Sequence, residues 1–452
     1  MTKFSCCLIV VVLTLLSLSS AVTIDSRFPL SRDGVRKEVV KYNEQEWNQL
    51  RSRLDLSRIP FAFDEDSWEY GASTKEVVAL IKFWRESYSW KDTVNMLNTQ
   101  REQYSAVVED MKIHFEMWRP KSGLALTKVV PLFFFHGWPG SFLECGKVAS
   151  LLTQEKSSPR LQYVVFCPSL PGYGLSDAPS KPFSIPDIAR VMNTLAHEVL
   201  GLDRYVVQGG DWGSMVAWKM AEAEPSRVAG IHVNFFGQGP PPTLSATIAA
   251  GIGTMLGKDS WLLALGTKCM KETAAAVEEG KKIILSETGY MHIQATKPNT
   301  VAFGLNDSPA GLLAYIFEKM HAWSHHDGDV YKRFRPREII DNVMIYWTQQ
   351  NIGSSMRLYK DYLSNVVVGE KRNKVDVPFA GAVFPGELVR PPKCWAEYDF
   401  DVKKWTLMPS GGHFAAMEEP GLLADDIHAF VVDHVQLSSP KKQAKKHATV
   451  EL

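Results

Sequence analysis

The chain has 452 residues, of which 45% are apolar and 22% charged, the balance of a soluble globule large enough to bury an extensive core. Lys plus Arg equal Asp plus Glu at 50 each, so no basic domain is present to hold nucleic acid, and no nucleic-acid partner is expected. Six cysteines are spread thinly, with Cys6 and Cys7 near the N-terminus; the others, Cys145, Cys167, Cys269 and Cys394, lack metal-ligand spacing and read as buried thiols.

Residues 4–22 form an almost unbroken apolar stretch after Lys3, long enough for a signal peptide or a short membrane span. Ser19-Ser20-Ala21 suits cleavage and secretion into the lumen. Arg27, Arg32, Arg36 and Lys37 downstream, against Lys3 and the α-amine upstream, favour a retained single-pass anchor with a cytosolic catalytic domain by the positive-inside rule. Both readings put the chain at the endoplasmic reticulum, and the anchor is the preferred one. From 35 to 118 the three- and four-residue steps of Trp47, Leu50 and Leu54, then Val77, Leu80, Ile81 and Trp84, predict a mostly helical region. Its aromatics Trp68, Tyr70, Trp84, Tyr88 and Trp90 read as packing against a neighbouring domain.

Strand and helix alternate after Trp118. Val129-Val130-Pro131-Leu132-Phe133-Phe134-Phe135, Tyr163-Val164-Val165-Phe166, a strand ending at Val207, and Ile231-His232-Val233-Asn234 predict a mostly parallel sheet with helices on both faces. The rhythm breaks between about 237 and 364, giving helical segments, and resumes at Val377-Pro378-Phe379-Ala380-Gly381-Ala382-Val383-Phe384 and Trp405-Thr406-Leu407-Met408. An insertion between strands of one sheet predicts a cap over their C-terminal edge. The tail 438–452, with Lys441, Lys442, Lys445 and Lys446, reads as a basic disordered segment.

Gln208-Gly209-Gly210-Asp211-Trp212-Gly213-Ser214 has the glycine frame of a nucleophile elbow, the strained strand-to-helix turn beside which only small residues fit, with aspartate in place of serine. A carboxylate at that apex is ionised at neutral pH and leaves an ester when it attacks carbon. Taken alone, Asp211 is equally a helix cap. An ester requires a base to activate water, and His413 in Pro409-Ser410-Gly411-Gly412-His413-Phe414 follows the last strand, in the chain order nucleophile, acid, histidine. Glu387, in Phe384-Pro385-Gly386-Glu387 after a strand, is the best acid partner. Asp376 precedes that strand, and Glu418 and Glu419 read as opening the last helix. The tetrahedral intermediate asks for backbone donors, and the N–H groups of Trp138, in His136-Gly137-Trp138-Pro139-Gly140, and Trp212 suit that role. His136 reads as structural.

These motifs, with Gly289-Tyr290-Met291-His292-Ile293-Gln294 and Gly411-Gly412-His413-Phe414-Ala415-Ala416, resemble the microsomal-type epoxide hydrolases, including the insect juvenile hormone enzymes. The resemblance runs from the N-terminal anchor to the last helix. It implies an α/β-hydrolase fold with a mostly parallel central sheet, a helical cap inserted between strands and an extra helical N-terminal domain. The expected layout is an anchor or signal segment at 1–22, the N-terminal domain at 23–118, the core at 119–236 and 371–437, the cap at 237–370 and the tail at 438–452. It also implies two cap tyrosines, Tyr290 and Tyr359, that hold and protonate the epoxide oxygen. The implied reaction takes an apolar epoxide (xenobiotic, terpenoid or lipid) and water to a vicinal diol, with no metal or organic cofactor and a membrane as the only other partner. A haloalkane dehalogenase shares the aspartate ester and can use a tryptophan such as Trp212 to hold halide. A non-catalytic binder of apolar ligands is a third reading, but it would carry a spoiled triad.

Overall fold

The computed structural model describes residues 34–120, 129–154, 161–364 and 372–437. The apolar run at 4–22 and the basic tail at 438–452 lie outside the described residues. Nine strands form one sheet: β1 (Val35–Lys37), β2 (Glu102–Val108), β3 (Met111–Trp118), β4 (Val129–Phe135), β5 (Gln162–Pro168), β6 (Tyr205–Gly209), β7 (Val228–Val233), β8 (Val375–Val383) and β9 (Phe400–Leu407). Their spatial order is β1-β2-β3-β5-β4-β6-β7-β8-β9. From β5 to β9 every neighbouring pair is parallel. β4, β5, β6 and β7 are apolar and buried along nearly their whole length, as a sheet covered on both faces requires. The chain leaves β4 for β5 on one side and returns to β6 on the other, so the crevice beyond the carboxyl ends of β4 and β6 is the switch point where such sheets place their ligands.

The N-terminal region is less helical than its periodicity suggested. Helices Glu44–Asp55, Thr74–Glu86 and Trp90–Gln100 form and are capped by the side chains of Asn43, Ser73 and Ser89. β1, β2 and β3 then extend the central sheet in antiparallel fashion, with β3 pairing β5. Glu109 and Asp110, both at positive φ (49° and 64°), make the tight β2–β3 hairpin turn. This region docks on the cap: Trp68, between the first two helices, stacks on His321 at 3.6 Å between ring centroids, and Tyr88 Oη and Thr93 Oγ1 each donate to Asp341 at 2.7 Å. Tyr70 departs from the expected packing role, being 81% exposed.

The cap carries helices Leu244–Met255, Lys268–Ser286, Gly289–Thr296, Pro298–Asp307, Pro309–Ala322, Pro336–Gln349 and Ile352–Leu363. Two disulfides correct the reading of four cysteines as thiols: Cys145 bonds Cys167, and Cys269 bonds Cys394. The partners are 22 and 125 residues apart in sequence and meet only because the fold brings their elements together, so spacing carried no signal. The second bond ties the cap helix Lys268–Ser286 to the core helix Lys393–Asp399, where Trp395 Nε1 also donates to Thr273 Oγ1 at 2.9 Å.

Candidate active site

The turn after β6 is the elbow expected from the sequence. Gly210 is extended, and Asp211 opens the helix Asp211–Ala223 with φ at +46°, a left-handed conformation that non-glycine residues rarely adopt and that marks stored strain. Close approach explains the glycines around it. A side chain at Gly213 would run into the Phe135 carbonyl at the end of β4, and one at Gly137 into the Asp211 carboxylate.

Three loops converge around Asp211. From the loop after β4, Trp138 N–H donates to Asp211 Oδ1 at 2.8 Å. From the loop after β9, His413 Nε2 lies 3.3 Å from Asp211 Oδ2. From the turn after β8, Glu387 Oε1 holds His413 Nδ1 at 2.7 Å and also accepts the Leu388 N–H at 2.7 Å. Both Glu387 and His413 are buried. Burial alone would pull the His413 pKa down, but the Glu387 and Asp211 carboxylates outweigh it and hold the imidazole well above its usual range. The two carboxylates thus favour the cationic form of the ring. Asp376 lies at the start of β8, away from this convergence.

The cap supplies the roof. Tyr290, on the helix Gly289–Thr296, stacks on Trp138 with ring centroids 5.1 Å apart and planes within 5°. Tyr359, on the helix Ile352–Leu363, meets Tyr290, Trp138 and Trp212 edge-on at 5.7, 5.9 and 4.7 Å. Burial, reinforced by the Asp211 charge, pushes both phenols above their ordinary pKa; Tyr290 adds to the rise at Tyr359, while Tyr359 opposes that of Tyr290, and each keeps its proton. Their hydroxyls are close enough to influence one another, yet Tyr359 Oη has no partner of good hydrogen-bond geometry. For Trp212 the structure gives a place in the first turn after the nucleophile; no hydrogen bond from its N–H to Asp211 is found among the described residues.

His136 is structural, as expected: Nε2 accepts the Leu170 N–H at 3.3 Å and Nδ1 faces the Gly137 carbonyl at 3.0 Å. Burial lowers its pKa to about 4, so it stays neutral. Among the described residues no cluster of His, Cys, Asp or Glu is arranged to hold a metal.

Two contributors escaped the sequence reading. Trp323, at the end of the cap helix Pro309–Ala322, packs its ring 5.2 Å from that of His413, and its carbonyl accepts the His413 N–H at 2.9 Å; no motif marks it. Glu418, read as opening the last helix, instead accepts the N–H groups of His325 at 2.8 Å and Phe414 at 3.0 Å. It thereby pins the histidine loop to the cap. Its place two residues before the helix Pro420–His434 hid this tertiary role.

Comparison with known proteins agrees with this geometry. Residues 35–145 match the family described as "Epoxide hydrolase N terminus", and residues 130–234 the "alpha/beta hydrolase fold". The chain is 36% identical to epoxide hydrolase 1 of Oryctolagus cuniculus, covering 89% of this chain and 90% of that one. It is 35% identical to juvenile hormone epoxide hydrolase 1 of Ctenocephalides felis, over 92% and 89%. The solved juvenile hormone epoxide hydrolase of Bombyx mori superposes with a TM-score of 0.78 at 31% identity, covering 90% of this chain and 96% of that one. The Aspergillus niger epoxide hydrolase gives 0.74 at 25%, over 88% and 96%. With an aspartate at the elbow, an intact histidine and acid, and relatives of this identity over nearly the whole chain, the protein belongs to the microsomal-type epoxide hydrolase family.

Proposed function

We propose that this epoxide hydrolase works in two steps divided between sheet and cap, on an apolar epoxide of xenobiotic, terpenoid or lipid origin. In the first, Asp211 Oδ2, the oxygen not held by Trp138, attacks the less hindered epoxide carbon. The C–O bond breaks, Tyr290 or Tyr359 gives its proton to the departing oxygen, and a hydroxyalkyl ester remains on Asp211. In the second, His413 takes a proton from water, the hydroxide attacks the Asp211 carbonyl, and the oxyanion forms on Oδ1, where the Trp138 N–H already points. On collapse the departing diol oxygen takes up the carboxyl proton brought in by the attacking water. The phenolate regains the proton that His413 sheds on esterification, and His413 keeps the one it takes from water, so the starting state returns and the sum is epoxide plus water.

Charge coupling orders the steps. Esterification removes the negative charge of Asp211, one of the two that keep His413 cationic, and so frees the imidazole to act as base when the ester needs it. The observation that carries the reading is Asp211 held between the Trp138 N–H at 2.8 Å and His413 at 3.3 Å. Incubating His413→Gln with an apolar epoxide and stopping the reaction tests it by mass spectrometry. The expected result is the substrate mass added to the peptide carrying Asp211; halide release from a chlorinated alkane with no turnover of epoxides would favour the dehalogenase reading instead.

Membrane attachment through residues 4–22 is part of the proposal. The flanking charges support a cytosolic catalytic domain, and the two disulfides support a lumenal one. Protease protection of the full chain in sealed microsomes decides between them.

A further inference from the structure

Glu144 takes no part in the steps above, yet it sits within the electric field of the residues that do. Ser141-Phe142-Leu143-Glu144 follows the loop that carries Trp138 and forms a serine-x-x-glutamate cap. Ser141 Oγ accepts the Leu143 N–H at 3.4 Å, and the Glu144 carboxyl turns back toward the Ser141 N–H, close enough for that dipole to favour its ionised form. The same carboxyl fills the space over the Gly140 Cα, so that any side chain at 140 would collide with it. From the opposite side, the cap helix Pro336–Gln349 holds the loop through Tyr346 Oη on the Gly140 carbonyl at 2.7 Å and Asn342 Nδ2 on the Pro139 carbonyl at 2.8 Å. The peptides immediately after Trp138 are thus gripped from two sides.

An ordinary surface cap would account for the bond to Ser141 but not for the rest of the setting. Burial raises the Glu144 pKa to about 8, with His413 opposing and Asp211 adding to the rise; Tyr346 also feels its charge. A cap used only to start a helical turn has no reason to stand half-buried beside the nucleophile and its base.

We propose that Glu144 is a positioning residue for ester hydrolysis, locking Gly140 and Ser141 so that the Trp138 N–H stays aimed at the Asp211 oxygen that becomes the oxyanion. The role rests on the two-step reading above. It concerns hydrolysis more than alkylation, because an oxyanion donor acts on charge that develops only when water attacks, and a small misplacement there is costly.

The test is single-turnover kinetics with styrene oxide as probe, following ester formation on Asp211 and its decay in the full-length wild type, Glu144→Ala and Glu144→Gln. Glu144→Ala is expected to slow decay about 10-fold or more while formation stays within about threefold, part of the ~10²-fold or greater loss that follows removal of an oxyanion donor. Glu144→Gln, which still accepts the Ser141 N–H, is expected to bring decay back to within about threefold of wild type. Should the alanine variant not fold, Gly140→Ala displaces the same carboxyl and is expected to give the same selective slowing. Decay at the wild-type rate in Glu144→Ala or Gly140→Ala overturns the role. So does a folded Glu144→Gln that decays more slowly than expected by the alanine-like factor, since a charge rather than a hydrogen bond would then be at work. Absence of any ester in the wild type would overturn the two-step mechanism itself, an outcome visible before the variants are compared.

Discussion

On the sheet side of the site, Asp211, His413 and Glu387 are joined by short contacts between charged groups, 3.3 and 2.7 Å long. On the cap side, Tyr290 and Tyr359 are held by ring packing at centroid distances of 4.7 to 5.9 Å, and Tyr359 Oη lacks a well-formed bond. The contrast separates two ways of preparing a group for chemistry. The sheet fixes direction by pairing Asp211 with Trp138 N–H and His413, and His413 with Glu387 Oε1. The cap fixes the rings and leaves the Tyr359 hydroxyl without a well-formed internal bond, which in the proposed mechanism leaves it available to the epoxide oxygen. Leaving a buried hydroxyl in that state costs about 1–3 kcal/mol, a cost that the proposed bond to the substrate oxygen offsets.

Removing the sheet-side nucleophile is the strongest way to break the comparison. Asp211→Asn preserves volume at the apex of the elbow and is expected to lower turnover by ~10⁴-fold or more, with the thermal midpoint little changed, because no other group forms the ester. Turnover and melting curves, with mass spectrometry to detect deamidation back to aspartate, check it. His413→Gln is expected to lower ester decay by roughly 10²–10⁴-fold, the usual contribution of a general base, and to leave alkylation far less affected.

The cap side is expected to give the opposite partition. Tyr290→Phe and Tyr359→Phe should each slow ester formation, and the double variant should slow it by about 10²-fold or more, since no acid then remains for the departing oxygen. Ester decay should change little. A double variant that alkylates Asp211 at the wild-type rate would reduce both phenols to packing.

Glu387→Gln sharpens the sheet side with a smaller effect and a pH signature. Glu387 raises the His413 pKa, and hydrolysis needs the neutral ring, so decay of the ester is lost as pH falls through that pKa. Removing the carboxylate lowers the pKa, and the acid limb of ester decay is therefore expected to move to lower pH while the plateau drops about 10-fold from poorer orientation of the ring. A limb that stays in place, measured by decay rate against pH, would show that Glu387 does not set the charge of His413.

The same two regions differed in what their sequences disclosed. Asp211, His413 and Glu387 were legible because each follows a strand in a glycine-rich turn, and the chemistry of an ester demands a base and its partner in that order. Tyr290 and Tyr359 carried no such mark: aromatic residues on helices read as packing, and only the family resemblance singled them out. Trp323, Glu418 and the disulfide partners were invisible because each acts across the fold on a residue far away in sequence. β2 and β3 were absorbed into a helical region because the clear three- and four-residue steps upstream masked a short hairpin that gains its stability only by pairing with β5.

One experiment addresses the claim on which everything else depends, that Asp211 itself becomes the ester. A single turnover with enzyme in excess over an apolar epoxide, run in heavy-oxygen water, traces the attacking oxygen. If Asp211 opens the epoxide and water then attacks its carbonyl, the first diol contains no solvent oxygen and the heavy atom appears in the Asp211 side chain. Heavy oxygen in the first diol, with an unlabelled Asp211 peptide, would mean that water attacks the epoxide directly and would contradict the account.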